Sequence, residues 1–199
     1  DVNAKAKPVF DRSLWDRLAV PAAPAGGSVA YGVKFSTDGL YVSVSAAVKV
    51  DGLPVVHAEG VHHRLMVDGT RWLVDWLLAR KDKPVVVDGK SQAGAFVETL
   101  VKAGFPARRV TVVNAEQAVT ANAMLLTAVT EGTLSHVGDP VVGAQVDAAG
   151  KRLIGKNGGW GLMSLDGSDI SLIESIALAH FGAATAKPSK PSGRRAVVL

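Results

Sequence analysis

The sequence predicts a mixed α/β domain: a central sheet that begins as an antiparallel meander, continues in parallel strands and carries helices on both faces. Three observations predict it. Residues 28–65 alternate apolar and polar positions in three runs separated by short turns, which is the period of half-buried strands. Beyond residue 69, short continuously apolar runs are each followed by a stretch of helical period, the pattern of strands buried on both faces. An apolar fraction of 48% over 199 residues is ample for one domain with a real core.

In chain order, 11–18 reads as a short helix, and "AVPAAPAGG" after it as a Pro/Ala/Gly linker to residue 27. In "SVAYGVKFS" Val29, Tyr31, Val33 and Phe35 share one face and Ala30, Gly32, Lys34 and Ser36 the other. "TDG" and "DGLP" then turn the chain into strands over 40–50 and 55–65. Trp72, Leu73, Trp76 and Leu77 recur at helical spacing, and both tryptophans are expected in the core. "KPVVVDG" is a buried strand and 91–104 a helix, with Ser91 as N-cap and Gly104 as stop. A strand follows over 108–114, then an Ala-rich helix to Gly132. The last part reads as a short strand or turn over 134–137, a helix over 141–148, a Gly-rich hairpin loop over 155–161 and a strand over 162–165. A helix from about Asp169 to His180 completes it.

No cysteine is present, which excludes disulfides and thiolate metal sites. No apolar run reaches the ~18 residues of a membrane span. The chain begins at Asp1, and with the linker this reads as a piece of a longer or processed chain. Twenty-two basic and 18 acidic residues leave +4, which Lys187, Lys190, Arg194 and Arg195 of the tail equal, so the body is near neutral. The tail is either solvated or a nucleic-acid contact.

The chemistry centres on "VVVDGKSQAG". A phosphate-cradling loop needs a glycine five positions before its Gly-Lys-Ser, and here Pro84 stands there, so the nucleotide-binding reading fails. Asp88 is then either a turn aspartate or a carboxylate at the C-terminal end of a central strand, where α/β sheets place their sites. Asp38, Asp139 and Asp169 can approach the same edge. Two or three such carboxylates hold Mg²⁺ or Mn²⁺ through hard oxygen ligands, and such ions promote phosphodiester cleavage. The five histidines have no zinc spacing.

The element order, with a buried strand ending in Asp and an acid near a late helix, is the ribonuclease H-like order. Four stretches resemble more specifically the C-terminal nuclease domain of tailed-phage large terminases, in particular those of actinobacteriophages. They are "VAYGVKFSTDG", "PVVVDGKSQAGAF", "LSHVGDPVVGAQVDAAGKRLIG" and "GGWGLMSLDGSDISLIESIALA", and the resemblance spans about residues 28–181. It implies a Mg²⁺- or Mn²⁺-dependent endonuclease that cuts concatemeric double-stranded DNA with little sequence preference. It implies an upstream ATPase domain, with portal and small terminase subunit as partners, in the host cytoplasm and with no membrane. Residues 1–27 then lead in from the ATPase, 28–182 form the nuclease domain, and 183–199 form a basic tail.

By the same resemblance Asp88 and Asp169 are catalytic metal ligands, with Asp38 and Asp139 as further candidates. The family's first acid lies within the first strand, where this chain has Lys34. Three readings stay open: Asp38 reaches in from the turn, Lys34 replaces the charge of one metal, or motor and DNA complete a weak site. DNA contacts are expected from Lys34, His136, Lys151, Arg152, Lys156 and Trp160. His62 and His63 read as solvated strand ends, and Glu59 as a rim residue. Two rival functions remain: a junction-resolving nuclease of the same fold, and a non-catalytic module docking the motor to portal or DNA.

Overall fold

A computed structural model describes residues 6–155 and 158–187, with the backbone alone at 90 and 91. Its six-stranded sheet is built from β1 (Ser28–Phe35), β2 (Tyr41–Lys49), β3 (Val56–Leu65), β4 (Val85–Asp88), β5 (Val110–Val112) and β6 (Leu134–Ser135). The order is β5-β4-β1-β2-β3-β6. The β1–β2 and β2–β3 pairs are antiparallel, and β1–β4, β4–β5 and β3–β6 are parallel, as the sequence predicts.

The alternation in β1 sorts residues between two cores. Val33 and Phe35 join Val42, Val44, Val85 and Val87 beneath α2 (Arg71–Leu78) and α3 (Lys90–Lys102). Ala30, Gly32 and Lys34 face α6 (Ser171–Thr185), which is buried on nearly every side, as a helix apolar all round must be. Gly32 permits the close approach: a Cβ there would lie 2.1 Å from the Ser175 carbonyl oxygen. The α6 layer is completed by α1 (Arg12–Arg17), α4 (Ala115–Glu131) and α5 (Pro140–Ala148), and Phe10 and Trp15 are buried in its core.

Four details differ from expectation. Residues 149–164 form an antiparallel ribbon, β7 (Ala149–Ile154) paired with β8 (Gly159–Ser164), where a hairpin loop and its second strand were expected but not the first strand. The ribbon lacks a continuous apolar face, because Lys151, Arg152 and Leu153 are all exposed. The helix after β4 starts one residue before Ser91, with Gly89 at its N-cap. Trp72 and Trp76 are half-buried flanks of the core, with Arg64 and Arg80 stacked over them. His62 and His63 are half-buried rather than solvated. A register shift opposite Val44 and Ser45 sends His62 between the two tryptophans and sets His63 opposite Ser43. Among the described residues no helix is long and apolar enough to cross a membrane.

Candidate active site

The parallel pairing of β1 and β4 sets Lys34 in register with Asp88 at the C-terminal ends of both strands. The Lys34 ammonium donates to Asp88 Oδ2 at 2.5 Å, while Asp88 Oδ1 accepts the Gly89 N–H at 2.8 Å. Gly89 has φ 141°, and a Cβ there would come within 2.5 Å of Phe35 Cβ, so glycine lets β4 turn into α3 beside the site. The first turn of α6 brings Glu174 Oε1 within 3.4 Å of the same ammonium. The three side chains are 12%, 25% and 16% exposed.

Burial sets the electrostatics. It pushes the Glu174 carboxyl up to about 7; Lys34 opposes this, while Asp88 and Asp169 reinforce it. Burial alone would lower the Lys34 ammonium, but Glu174 and Asp88 more than reverse that, and its pKa is raised. The group is a charged ammonium between two carboxylates.

Two adjacent clefts open here. One, of about 560 Å³, is lined by Lys34, Asp88, Glu174, Asp38 and Arg152. The other, of about 490 Å³, shares Asp38, Arg152 and Glu174 and adds Asp169 and Ser168. A groove of about 520 Å³ elsewhere, lined by Lys49, Met124 and His180, has no carboxylate and offers no metal or phosphodiester chemistry.

Asp169 is held entirely through Oδ2. That oxygen accepts from Ser171 Oγ at 2.7 Å, from Ser171 N at 3.2 Å and from Gln145 Nε2 at 3.5 Å, with His63 Nε2 at 3.7 Å. Gln145 Oε1 in turn takes the N–H groups of Leu172 and Ile173, capping α6. Ser43 Oγ lies 2.7 Å from Ser171 Oγ and 2.9 Å from His63 Nδ1, so a buried polar network fixes Asp169. Asp38 sits in the β1–β2 turn, where its Oδ1 accepts from Ser36 Oγ and Leu40 N, and these bonds lower its pKa.

The structure thus gathers Lys34, Asp38, Asp88, Asp169 and Arg152 around the two clefts, with Glu174 at their junction. Glu174, Ser43 and Gln145 are absent from the sequence reading, and His63, expected as a solvated strand end, completes the positioning trio. Asp139 lies outside both clefts as the N-cap of α5, its Oδ1 accepting from Val141 N at 2.8 Å. His136 is corrected from a DNA contact to a core residue, 4% exposed and stacked on Trp15 at 4.3 Å. Its Nδ1 accepts from Gly138 N, so Nε2 carries the proton donated to Trp15 O, and neither nitrogen is left for a phosphate. Lys151 lies over the half-buried Trp160 ring at 4.4 Å, Arg152 is exposed at the cleft edge, and Lys156 falls outside the described residues. Glu59 pairs with His57 away from the clefts.

Among the described residues no three acidic or imidazole groups converge on one point. The donors nonetheless suit a hard divalent cation: the oxygens are carboxylate, one positive group already bridges two of them, and Mg²⁺ commonly uses one or two carboxylates while keeping its waters.

Solved structures similar to this one are large-terminase nucleases. The large terminase nuclease from thermophilic phage G20c superposes with TM-score 0.65 at 15% identity, covering 87% of this chain and 97% of that one. Its form with bound magnesium gives 0.61 at 14%, covering 87% and 96%. The HK97 bacteriophage large terminase gives 0.67 at 12%, with 89% of this chain covered but only 44% of that longer one. The bacteriophage SPP1 nuclease domain with bound Mn gives 0.52 at 10%, covering 77% and 85%. At these identities the likeness is one of fold, and the fold is ribonuclease H-like. No protein-family model and no curated protein matches the sequence.

Proposed function

We propose that this chain is the divalent-metal-dependent endonuclease domain of a viral DNA-packaging terminase, cutting concatemeric double-stranded DNA with little sequence preference. The observation that carries the reading is the set of carboxylates, Asp88, Glu174 and Asp169, arranged about two joined clefts at the strand ends of this fold. The fold is shared with terminase nucleases that bind magnesium or manganese. Glu174 and Asp169, with Asp38 at the rim, would hold the ion. A bound divalent ion supplies Lewis-acid chemistry, lowering the pKa of water and neutralising charge on the phosphodiester. Lys34 holds Asp88 and Glu174 in place, Ser171, Gln145 and His63 orient Asp169, and Arg152 meets the phosphate backbone beside Lys151. In this reading the nuclease unit expected over 28–182 also takes in α1, with Phe10 and Trp15, and the end of α6 at Thr185. The chain before it connects to an upstream ATPase, and the basic tail follows α6. Portal and small terminase subunit are the partners, in the host cytoplasm.

The test is nicking and linearisation of supercoiled plasmid with Mn²⁺, Mg²⁺ or EDTA, beside Asp88→Ala and Asp169→Ala. Metal-dependent cutting lost in both variants is the expected result. Cutting that survives both would place the site elsewhere. One observation favours a second reading, a non-catalytic module docking portal or DNA: Lys34 already neutralises Asp88. Folded parent that binds DNA but leaves plasmid intact, with or without Asp88, is the outcome that selects it.

A further inference from the structure

The two clefts differ in one respect that bears on how many ions the site takes. Around the first, the space between Asp88 and Glu174 is filled by the Lys34 ammonium, at 2.5 and 3.4 Å from their oxygens. Lys34 is central in the sheet, its strand paired to β2 on one side and β4 on the other, so the ammonium cannot leave by a backbone shift without breaking both ladders. A divalent ion bound to the same two oxygens at ~2.1 Å would sit against that ammonium at like-charge contact distance. Around the second cleft, among the described residues, the one basic side chain paired with Asp169 is His63, at 3.7 Å. Every protein contact to Asp169 is made by Oδ2, and Oδ1 has no partner among the described residues. Glu174 borders both spaces.

We propose that the Lys34 ammonium is a resident cation in the place of one of two divalent ions, so that this chain binds a single ion, between Glu174 and Asp169. The inference rests on the metal-dependent reading above and specifies it. Lys34 carries one positive charge and no exchangeable waters. It therefore supplies charge and position on the Asp88 side, while the Asp169 side alone holds an ion with water attached.

The test counts Mn²⁺ bound to the intact chain, by calorimetric titration and by the loss of the free-ion paramagnetic resonance signal. The parent is expected to saturate at one ion and Lys34→Met at two. Asp88→Asn keeps the single ion of the parent, and Asp169→Asn loses it. Circular dichroism checks that each variant folds; should Lys34→Met not fold, the parent count and the Asp88 and Asp169 variants still decide. Two ions on the parent, none on the parent, one on a folded Lys34→Met, or an ion lost with Asp88 and kept without Asp169 would each overturn it. One bound ion without plasmid cutting leaves this inference standing and removes the nuclease reading, whereas cutting by a parent that holds two ions does the reverse.

Discussion

Lys34 and Glu174 show how single residues set the character of this site. Each charge is partly withdrawn from water, and each is tolerable only because the other and Asp88 are within reach. Removing the ammonium leaves two carboxylates facing each other. Lys34→Ala is therefore expected to lose on the order of 3 kcal/mol at pH 8. The loss should be smaller at pH 5, where Glu174, pushed up to about 7, keeps its proton. Urea unfolding at the two pH values, in EDTA, checks this; equal losses would mean that Glu174 does not feel the lysine. The place of Asp88 was legible, since a carboxylate ending a continuously apolar run marks a strand's C-terminal end, but its role was not, because a turn aspartate fits the same pattern. Glu174 carried a usable signal that went unread: it is the only charge in "SLIESIALA", and a lone charge in a helix apolar all round needs a buried partner. His63 had no such signal. The register shift beside Val44 and Ser45 reverses the faces of β3 beyond Gly60, and no local pattern in "AEGVHHRL" marks it.

At the level of elements, the meander and the two apolar strands were legible because period-two alternation and apolar runs bounded by turns leave little ambiguity. Of the β7–β8 ribbon only the hairpin loop and the second strand were, and β7 was not. It begins directly at the end of α5, and Lys151, Arg152 and Leu153 are exposed in succession on both faces, so no period-two apolar alternation marks it. Its placement matters more than its stability, because it carries Arg152 to the edge of both clefts. Lys151, over the Trp160 ring, is held close by. If the ribbon meets the DNA backbone, Lys151→Ala with Arg152→Ala weakens binding to all duplex sequences alike. The slope of log K against log salt should then fall by about 0.9 for each phosphate no longer neutralised. Fluorescence anisotropy with two unrelated duplexes across a salt series measures both. A change confined to one sequence, or an unchanged slope, would remove the ribbon from the interface.

Across the whole molecule, one sheet with a helical layer on each face buries α6 at its centre, and α6 carries two titratable groups whose pH effects oppose. Burial pushes the Glu174 carboxyl up to about 7 from 4.5, and burial, aided by Lys49, pushes the His180 imidazole down to about 4 from 6.5. Between 4.5 and 7 the native state keeps a proton on Glu174 that the unfolded chain has released, so stability falls as pH rises. Between 4 and 6.5 the unfolded chain holds a proton on His180 that the native state excludes, so stability rises with pH. Each shift is on the order of 3 kcal/mol, so they offset each other over the shared window. His62 and His136, both lowered by burial, add to the rising limb. Near pH 7 the last protons leave Glu174 in the native state and the imidazoles in the unfolded chain, so the opposed effects still overlap there. In EDTA the urea midpoint of Glu174→Gln is expected to rise relative to that of the parent as pH increases from about 5 to about 8, because the substitution removes the Glu174 loss. His180→Phe should instead remove much of the rise on the acid side and leave the difference between parent and Glu174→Gln intact. A Glu174→Gln profile that follows the parent from about pH 5 to about pH 8 would show that Glu174 titrates as an ordinary surface carboxylate, and the junction of the two clefts would then lack the buried acid on which its ion binding depends.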